Sequence, residues 1–99
     1  MSGSKGAVVV EFWHQTCPTC KKIEKSVRDL PGKLNGGAKL SRLDVMASRE
    51  NRRLAIEKDV IGTPTFKVYC NGEEIGEVVG EETLTDLAEK LNNILKGCV

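Results

Sequence analysis

The chain has 99 residues, the size of one small domain that buries a hydrophobic core without needing disulfides or a structural metal. Its formal net charge is +1, and its basic residues are dispersed along the sequence, which argues against nucleic acid as a partner. No stretch is long and apolar enough for a membrane span, and the apolar run near the N-terminus is too short for a signal peptide. We therefore expect a single domain over residues 1–99 that is cytoplasmic and monomeric.

The first predicted strand covers Ala7 to Trp13, which is rich in valine and aromatic residues and follows Gly6. Its nearly continuous apolar character indicates that both of its faces are covered. Apolar residues then recur at spacings of three and four, which predicts an amphipathic helix that loosens at Pro31-Gly32. These residues are Cys20, Ile23, Val27, Leu30 and Leu34.

The middle of the chain is predicted to hold a second strand and a second helix. A turn signal at 35–37 precedes Lys39 to Val45, where partial alternation favours a strand. The segment from Ser48 to about Lys58 is mostly polar and predicts a short, rather exposed helix. A break follows at 59–64.

The last third predicts a hairpin and a final helix. Asn71-Gly72 separates Thr65–Cys70 from Glu73–Val79, and this dipeptide between alternating runs favours a tight β-turn. Thr83 fits the N-cap of a helix with one apolar face that ends before Gly97. The order βαβαββα predicts an α/β fold with a four-stranded mixed sheet and helices on both faces.

The motif Cys17-Pro18-Thr19-Cys20 lies where the first strand gives way to the first helix. A disulfide in so small a ring stabilises a fold by only about 2 kcal/mol, so reactivity explains the pair better than stability does. Pro18 suits the first helical position, which places Cys17 at the N-cap. There, free amide groups and the helix dipole favour a thiolate, the reactive form of cysteine. Cys17 is therefore the predicted nucleophile.

Cys20 lies one turn inside the helix, so we expect it to be more buried and to act as the resolving thiol. Glu11, flanked by apolar residues, is the candidate proton acceptor, because burial would raise its pKa towards neutrality. The alternative for Glu11 is a carboxylate that reaches solvent or pairs with a lysine. The Thr63-Pro64 turn is a candidate cis peptide, with a trans turn as the alternative. Arg42 is interpreted as an exposed strand charge.

These features together resemble the thioredoxin superfamily, and the resemblance covers nearly the whole chain. It implies a thioredoxin fold and a dithiol–disulfide oxidoreductase that reduces protein disulfides without a cofactor. The matching segments, in the order of the family, are Val10-Glu11-Phe12-Trp13, Cys17 and Cys20 followed by Lys21, Gly62-Thr63-Pro64-Thr65, Asn71-Gly72-Glu73 and Val79-Gly80.

The resemblance also implies roles for individual residues. Cys17 and Cys20 would be the nucleophile and the resolving thiol, and Pro64 would be the cis proline beside them. The backbone of Thr63 would pair with substrate as a strand does. Glu11 stands where thioredoxins have a buried aspartate, and Trp13 matches the aromatic residue at the end of their strand.

The sequence departs from thioredoxins at the motif, where Thr16 precedes the first cysteine and Pro18-Thr19 separates the pair. Cys-Pro-x-Cys is the arrangement of glutaredoxins, so a glutathione-dependent glutaredoxin is an alternative. The segment 79–82 only partly resembles the residues that hold glutathione in those proteins. The electron donor is therefore expected to be either a flavin-dependent thioredoxin reductase or glutathione.

A zinc or iron–sulfur binding module that uses Cys17 and Cys20 is an alternative from another class. His14 could be a third zinc ligand and Cys70 or Cys98 a fourth, although the motif lacks a second close ligand pair. We otherwise interpret His14 as a surface residue and Cys70 as a packed or half-exposed strand thiol. Cys98 is interpreted as a thiol that can link two copies. The cysteines are not expected to form a structural framework.

Overall fold

The computed structural model describes residues 6–80 and 83–98. It confirms the predicted order of elements, with two short 3-10 turns added after the first helix, at Leu30–Lys33 and Asn35–Gly37. The strands are β1 (Ala7–Trp13), β2 (Lys39–Asp44), β3 (Thr65–Cys70) and β4 (Glu73–Val79), and the helices are α1 (Pro18–Asp29), α2 (Arg49–Glu57) and α3 (Leu84–Leu95). No helix within the described ranges is long and apolar enough to cross a membrane.

The four strands form one mixed sheet in the order β2-β1-β3-β4. β1 runs parallel to β2 and antiparallel to β3, and β3 pairs with β4 through the predicted hairpin. Asn71 and Gly72 both have positive φ, the backbone form that a tight hairpin turn of this kind needs. β1 lies between β2 and β3, so the Cys-x-x-Cys motif follows the end of an inner strand.

Helices cover both faces of the sheet, as predicted. The larger core lies on the face of α1 and α3, where Ile23 and Leu91 pack with Val9 and Phe66 of the sheet. The smaller core lies on the opposite face and joins Phe12 and Val45 to Ala55 of α2. Alternation along β1 divides its side chains between these two cores, which explains the nearly continuous apolar run.

α3 is held against the rest of the chain by polar and apolar contacts. The side chain of Asn92 donates to the carbonyl oxygen of Lys33 and accepts from the amide of Asn35, at 2.9 and 2.8 Å. Gly76 of β4 lies directly under Ile94, since a Cβ built at this glycine would be 2.8 Å from Cγ2 of Ile94. The close approach of α3 to β4 therefore depends on the missing side chain.

Lys67 is a buried charge that the sequence pattern did not reveal. It lies on the face of β3 opposite Phe66, as the alternation predicts, but it is only 3% exposed. Its ammonium group donates to Glu74 at 2.9 Å and to Glu77 at 2.8 Å. The two carboxylates, from the neighbouring strand, compensate the buried positive charge.

Candidate functional site

The dithiol motif lies at the N-terminus of α1, as predicted. Cys17 is the N-cap, with extended backbone, and Pro18 is the first helical residue. The amide of Cys20 donates a hydrogen bond to Sγ of Cys17 at 3.1 Å. The structure pairs the two cysteines as a disulfide, with a Cα–Cα distance of 5.2 Å.

Burial distinguishes the two cysteines less than expected. Cys20 is 2% exposed and Cys17 is 4% exposed, so both are buried, and the order is the predicted one by a narrow margin. His14 shares a hydrogen bond of 3.0 Å with the hydroxyl of Thr16, and it is neither fully buried nor fully exposed. The imidazole of His14 is therefore hydrogen-bonded to a residue of the same local turn.

A loop distant in sequence completes the surroundings of the disulfide. The peptide bond between Thr63 and Pro64 is cis, which excludes the alternative of a trans turn. The carbonyl oxygen of Thr63 lies 3.5 Å from Sγ of Cys17, and Pro64 is fully buried. The amide of Gly80, at the end of β4, donates to the carbonyl oxygen of Pro64 at 2.9 Å. The fold thus brings Thr63 and Pro64 to the dithiol.

Glu11 is an unusual carboxylate, because it is fully buried in the inner strand β1. Its Oε1 accepts a hydrogen bond of 2.6 Å from Nε of Arg42, its register partner on β2. Its Oε2 is also buried, and none of the described residues donates a hydrogen bond to it. Burial raises the pKa of Glu11 above the ordinary 4.5, while the hydrogen bond and charge of Arg42 act in the opposite direction. The alternative of a solvent-exposed or lysine-paired carboxylate was wrong.

Arg42 joins Glu11 to Trp13, and sequence reasoning missed this role. Its guanidinium group lies 4.4 Å from the centre of the Trp13 ring and 3.8 Å from Glu24 of α1. The side chain is 30% exposed, so the interpretation as an exposed strand charge captured its accessibility but not its contacts. Parallel pairing of β1 with β2 was predictable, whereas the register that sets Arg42 beside Glu11 was not.

The predicted site residues therefore form two groups. Cys17, Cys20, Thr63 and Pro64 meet at the start of α1, whereas Glu11 and Trp13 lie where β1 meets β2 and are joined there by Arg42, which was not predicted as a site residue. Within the described residues no hydrogen bond links the groups, and β1 connects them through the chain. The first group can break and form disulfides, and the second holds a buried carboxylate of raised pKa.

The other two cysteines are also paired with each other. Cys70 and Cys98 form a disulfide with a Cα–Cα distance of 5.5 Å. Cys70 is the last residue of β3 and is partly exposed, as predicted, but it is paired and is not a thiol. The predictions of a Cys98 thiol that can link copies and of cysteines that form no framework were wrong. The proposed zinc ligands do not converge either, since the described residues hold no group of three or more His, Cys, Asp or Glu side chains suited to a metal ion.

Comparisons with known proteins agree on one family. The thioredoxin family profile matches residues 1–93. The chain is 36% identical over 90 residues to a thioredoxin of Staphylococcus epidermidis, covering 91% of this chain and 84% of the relative. It is 31% identical over 77 residues to a thioredoxin of Acetoanaerobium sticklandii, covering 78% of this chain and 70% of the relative. Among solved structures, a mutant thioredoxin from Halobacterium salinarum NRC-1 superposes with a TM-score of 0.75 at 27% identity, covering 92% of this chain and 76% of that one.

Proposed function

Since this chain belongs to the thioredoxin family and is a thiol–disulfide oxidoreductase, we propose that Cys17 is its nucleophile, Cys20 its resolving thiol and Glu11 the proton acceptor. The observation that carries this proposal is the hydrogen bond from the amide of Cys20 to Sγ of Cys17 at the N-cap of α1. An amide donor and the positive end of the helix dipole favour negative charge on that sulfur.

The first step uses the reduced protein. The Cys17 thiolate attacks one sulfur of a substrate disulfide, so a bond forms between the two sulfurs while the substrate S–S bond breaks. The other substrate sulfur leaves as a thiolate and takes a proton from water. Substrate and protein are then joined in a mixed disulfide.

The second step releases the substrate. The Cys20 thiol gives its proton to Oε2 of Glu11 through one bridging water, because no hydrogen bond joins the two side chains directly. The resulting thiolate attacks Sγ of Cys17. The substrate sulfur leaves as a thiolate, and the Cys17–Cys20 disulfide present in the structure is formed. The geometry of Glu11 supports this role, because Arg42 occupies Oε1 while the buried Oε2 has no hydrogen-bond partner among the described residues. Burial raises the pKa of Glu11, which makes it a stronger proton acceptor than an ordinary carboxylate.

Substrate binding is proposed for Thr63, Pro64 and Trp13. The Thr63 backbone lies beside Cys17, where an extended substrate segment could pair with it as a strand while presenting its disulfide to the sulfur. Trp13 is partly exposed at the end of β1, four positions before Cys17, and Arg42 holds its ring.

Membership of the family implies disulfide-containing substrates and a reductase as partners. We propose a flavin-dependent thioredoxin reductase as the donor, and glutathione is the alternative. Glu81 and Glu82, in the segment that partly resembles a glutathione-binding sequence, lie outside the described residues. Supplying the oxidised protein with either donor in parallel, and measuring the rate at which thiols appear, distinguishes them. A cytoplasmic, monomeric protein stays a prediction.

Substitution of the two motif cysteines tests the catalytic roles. Cys17→Ser should abolish reduction of a disulfide-bonded peptide, whereas Cys20→Ser should form a mixed disulfide with the peptide and stop there. Cys98→Ser, at the second disulfide, is the matched control and should keep turnover. Full reductase activity in Cys17→Ser would overturn the proposal.

A further inference from the structure

The second disulfide lies at the end of the molecule opposite the dithiol site. Cys70 is the register partner of Ala7, the first residue of β1, whereas Cys17 follows Trp13, the last residue of that strand. Since a strand rises about 3.3 Å per residue, β1 separates the two disulfides by roughly 20 Å. Cys17 therefore cannot attack Cys70–Cys98 of the same molecule.

The surroundings of the two disulfides differ in the charge that they favour. Sγ of Cys17 receives an amide hydrogen bond at the N-terminus of α1, where a thiolate is stabilised. Cys98 instead follows the C-terminus of α3, and its amide donates to the carbonyl oxygen of Leu95 at 2.9 Å. The negative end of the helix dipole disfavours a thiolate at this position.

Charged side chains around the second disulfide are of both signs. Cys70 is the register partner of Glu73, whose carboxylate is exposed at the start of β4. Lys96 is two residues before Cys98 and is also exposed, so solvent screens both charges. Cys70 and Cys98 are partly exposed, whereas Cys17 and Cys20 are buried, so accessibility does not protect the second disulfide. The contrast that favours its oxidised form is its place at the C-terminal end of a helix.

The second disulfide also joins elements that are distant in the chain. Cys70 ends β3, and Cys98 lies just beyond α3, 28 residues later. Leu95, in the last turn of α3, is buried in the larger core, so the cross-link fastens a helix end that is already packed. Reduction would separate two sulfurs that the rest of the fold still holds close, which favours closing the disulfide again.

From these observations we propose that Cys70–Cys98 stays oxidised while Cys17–Cys20 cycles, and that it acts as a permanent fastening of α3 to the sheet. A disulfide is reduced more readily when one of the two thiols that it yields is stabilised as a thiolate, because the reduced form is then favoured. Cys17 has this stabilisation, whereas Cys98 does not. The chain thus separates one exchangeable disulfide from one inert disulfide.

Graded reduction tests this separation. Protein purified without reductant is incubated with rising dithiothreitol, quenched with an alkylating agent, and each cysteine is then assayed by peptide mass spectrometry. Each reduced pair gives two protein thiols and one molecule of cyclic dithiothreitol disulfide. Cys17 and Cys20 should be fully alkylated at a dithiothreitol concentration at least about tenfold below the one that opens Cys70–Cys98.

Three results would overturn the proposal. They are parallel alkylation of both pairs, earlier alkylation of Cys70 and Cys98, and thiols at these two positions before any reductant is added. A Cys17→Ser/Cys20→Ser protein repeats the measurement with the second disulfide alone, so the result does not depend on the catalytic roles proposed above. Disulfide-linked dimers of that variant through Cys98 would also contradict an internal cross-link.

Discussion

Replacement of Glu11 by glutamine tests how the resolving step loses its proton. The side chain is fully buried, and Glu11→Gln keeps its size and the oxygen that faces Arg42 but removes the ability to accept a proton. General base catalysis contributes about 10²- to 10⁴-fold to a rate, so the release of substrate from the mixed disulfide should slow by about 10²-fold or more. Attack by Cys17 should change little, because the amide of Cys20 that favours its thiolate is untouched.

Single-turnover kinetics separate these two steps. The reduced protein is mixed with a disulfide-bonded peptide, quenched with acid at intervals, and the mixed disulfide is quantified by mass spectrometry. The mixed disulfide should form at the wild-type rate in Glu11→Gln and then persist. Glu24→Gln is the matched control, because Glu24 also approaches Arg42, at 3.8 Å, but has a side chain 43% exposed. Resolution of the Glu11→Gln intermediate at the wild-type rate would refute the assigned role.

Three further predictions concern stability, each measured by urea denaturation. The folded state binds the Glu11 proton more tightly than the unfolded state does, so the wild-type free energy of unfolding should fall as pH rises from 4.5 through the raised pKa and then level off. Glu11→Gln lacks this contribution, and identical pH profiles for the two proteins would contradict the raised pKa. Cys98→Ser removes a cross-link between residues 28 positions apart and should cost the oxidised protein about 3.6 kcal/mol, whereas a loss below about 1 kcal/mol would speak against the closed disulfide. Gly76→Ala brings a methyl group to 2.8 Å from Cγ2 of Ile94 and should cost about 1–3 kcal/mol, with partial recovery in a background of Ile94→Ala, which removes that atom. Gly32→Ala meets nothing within 4 Å and is the control, so an equal cost at both glycines would refute the close approach.

Local sequence signals predicted most of the fold. The order of elements, the hairpin at Asn71-Gly72 and the helix starting at Pro18 all depend on residues near one another in the chain, and all three are confirmed. The alternation of apolar and polar residues also assigned the side chains of β3 to the correct faces of the sheet. It did not show that Lys67 is buried, because that burial depends on two glutamates of the neighbouring strand.

The candidate site was predictable in part for the same reason. The N-cap position of Cys17 follows from Pro18 alone. The contact of Arg42 with Glu11, by contrast, is set by strand register, and the pairing of Cys70 with Cys98 is set by where α3 ends over the sheet. A short stretch of sequence shows neither strand register nor where a distant helix ends, so these residues were interpreted singly and their partners were missed.

The ionisation of Cys17 tests the account most directly. Burial of this residue, at 4% exposure, disfavours a thiolate, while the amide of Cys20 and the start of α1 favour one. In Cys20→Ser with the second disulfide closed, Cys17 is the one remaining thiol of the four cysteines, so thiolate absorbance in the ultraviolet reports on it alone. We predict a transition at least about one pH unit below the value of about 8.5 of a free cysteine. A transition at or above that value would contradict a nucleophile activated by the helix N-terminus.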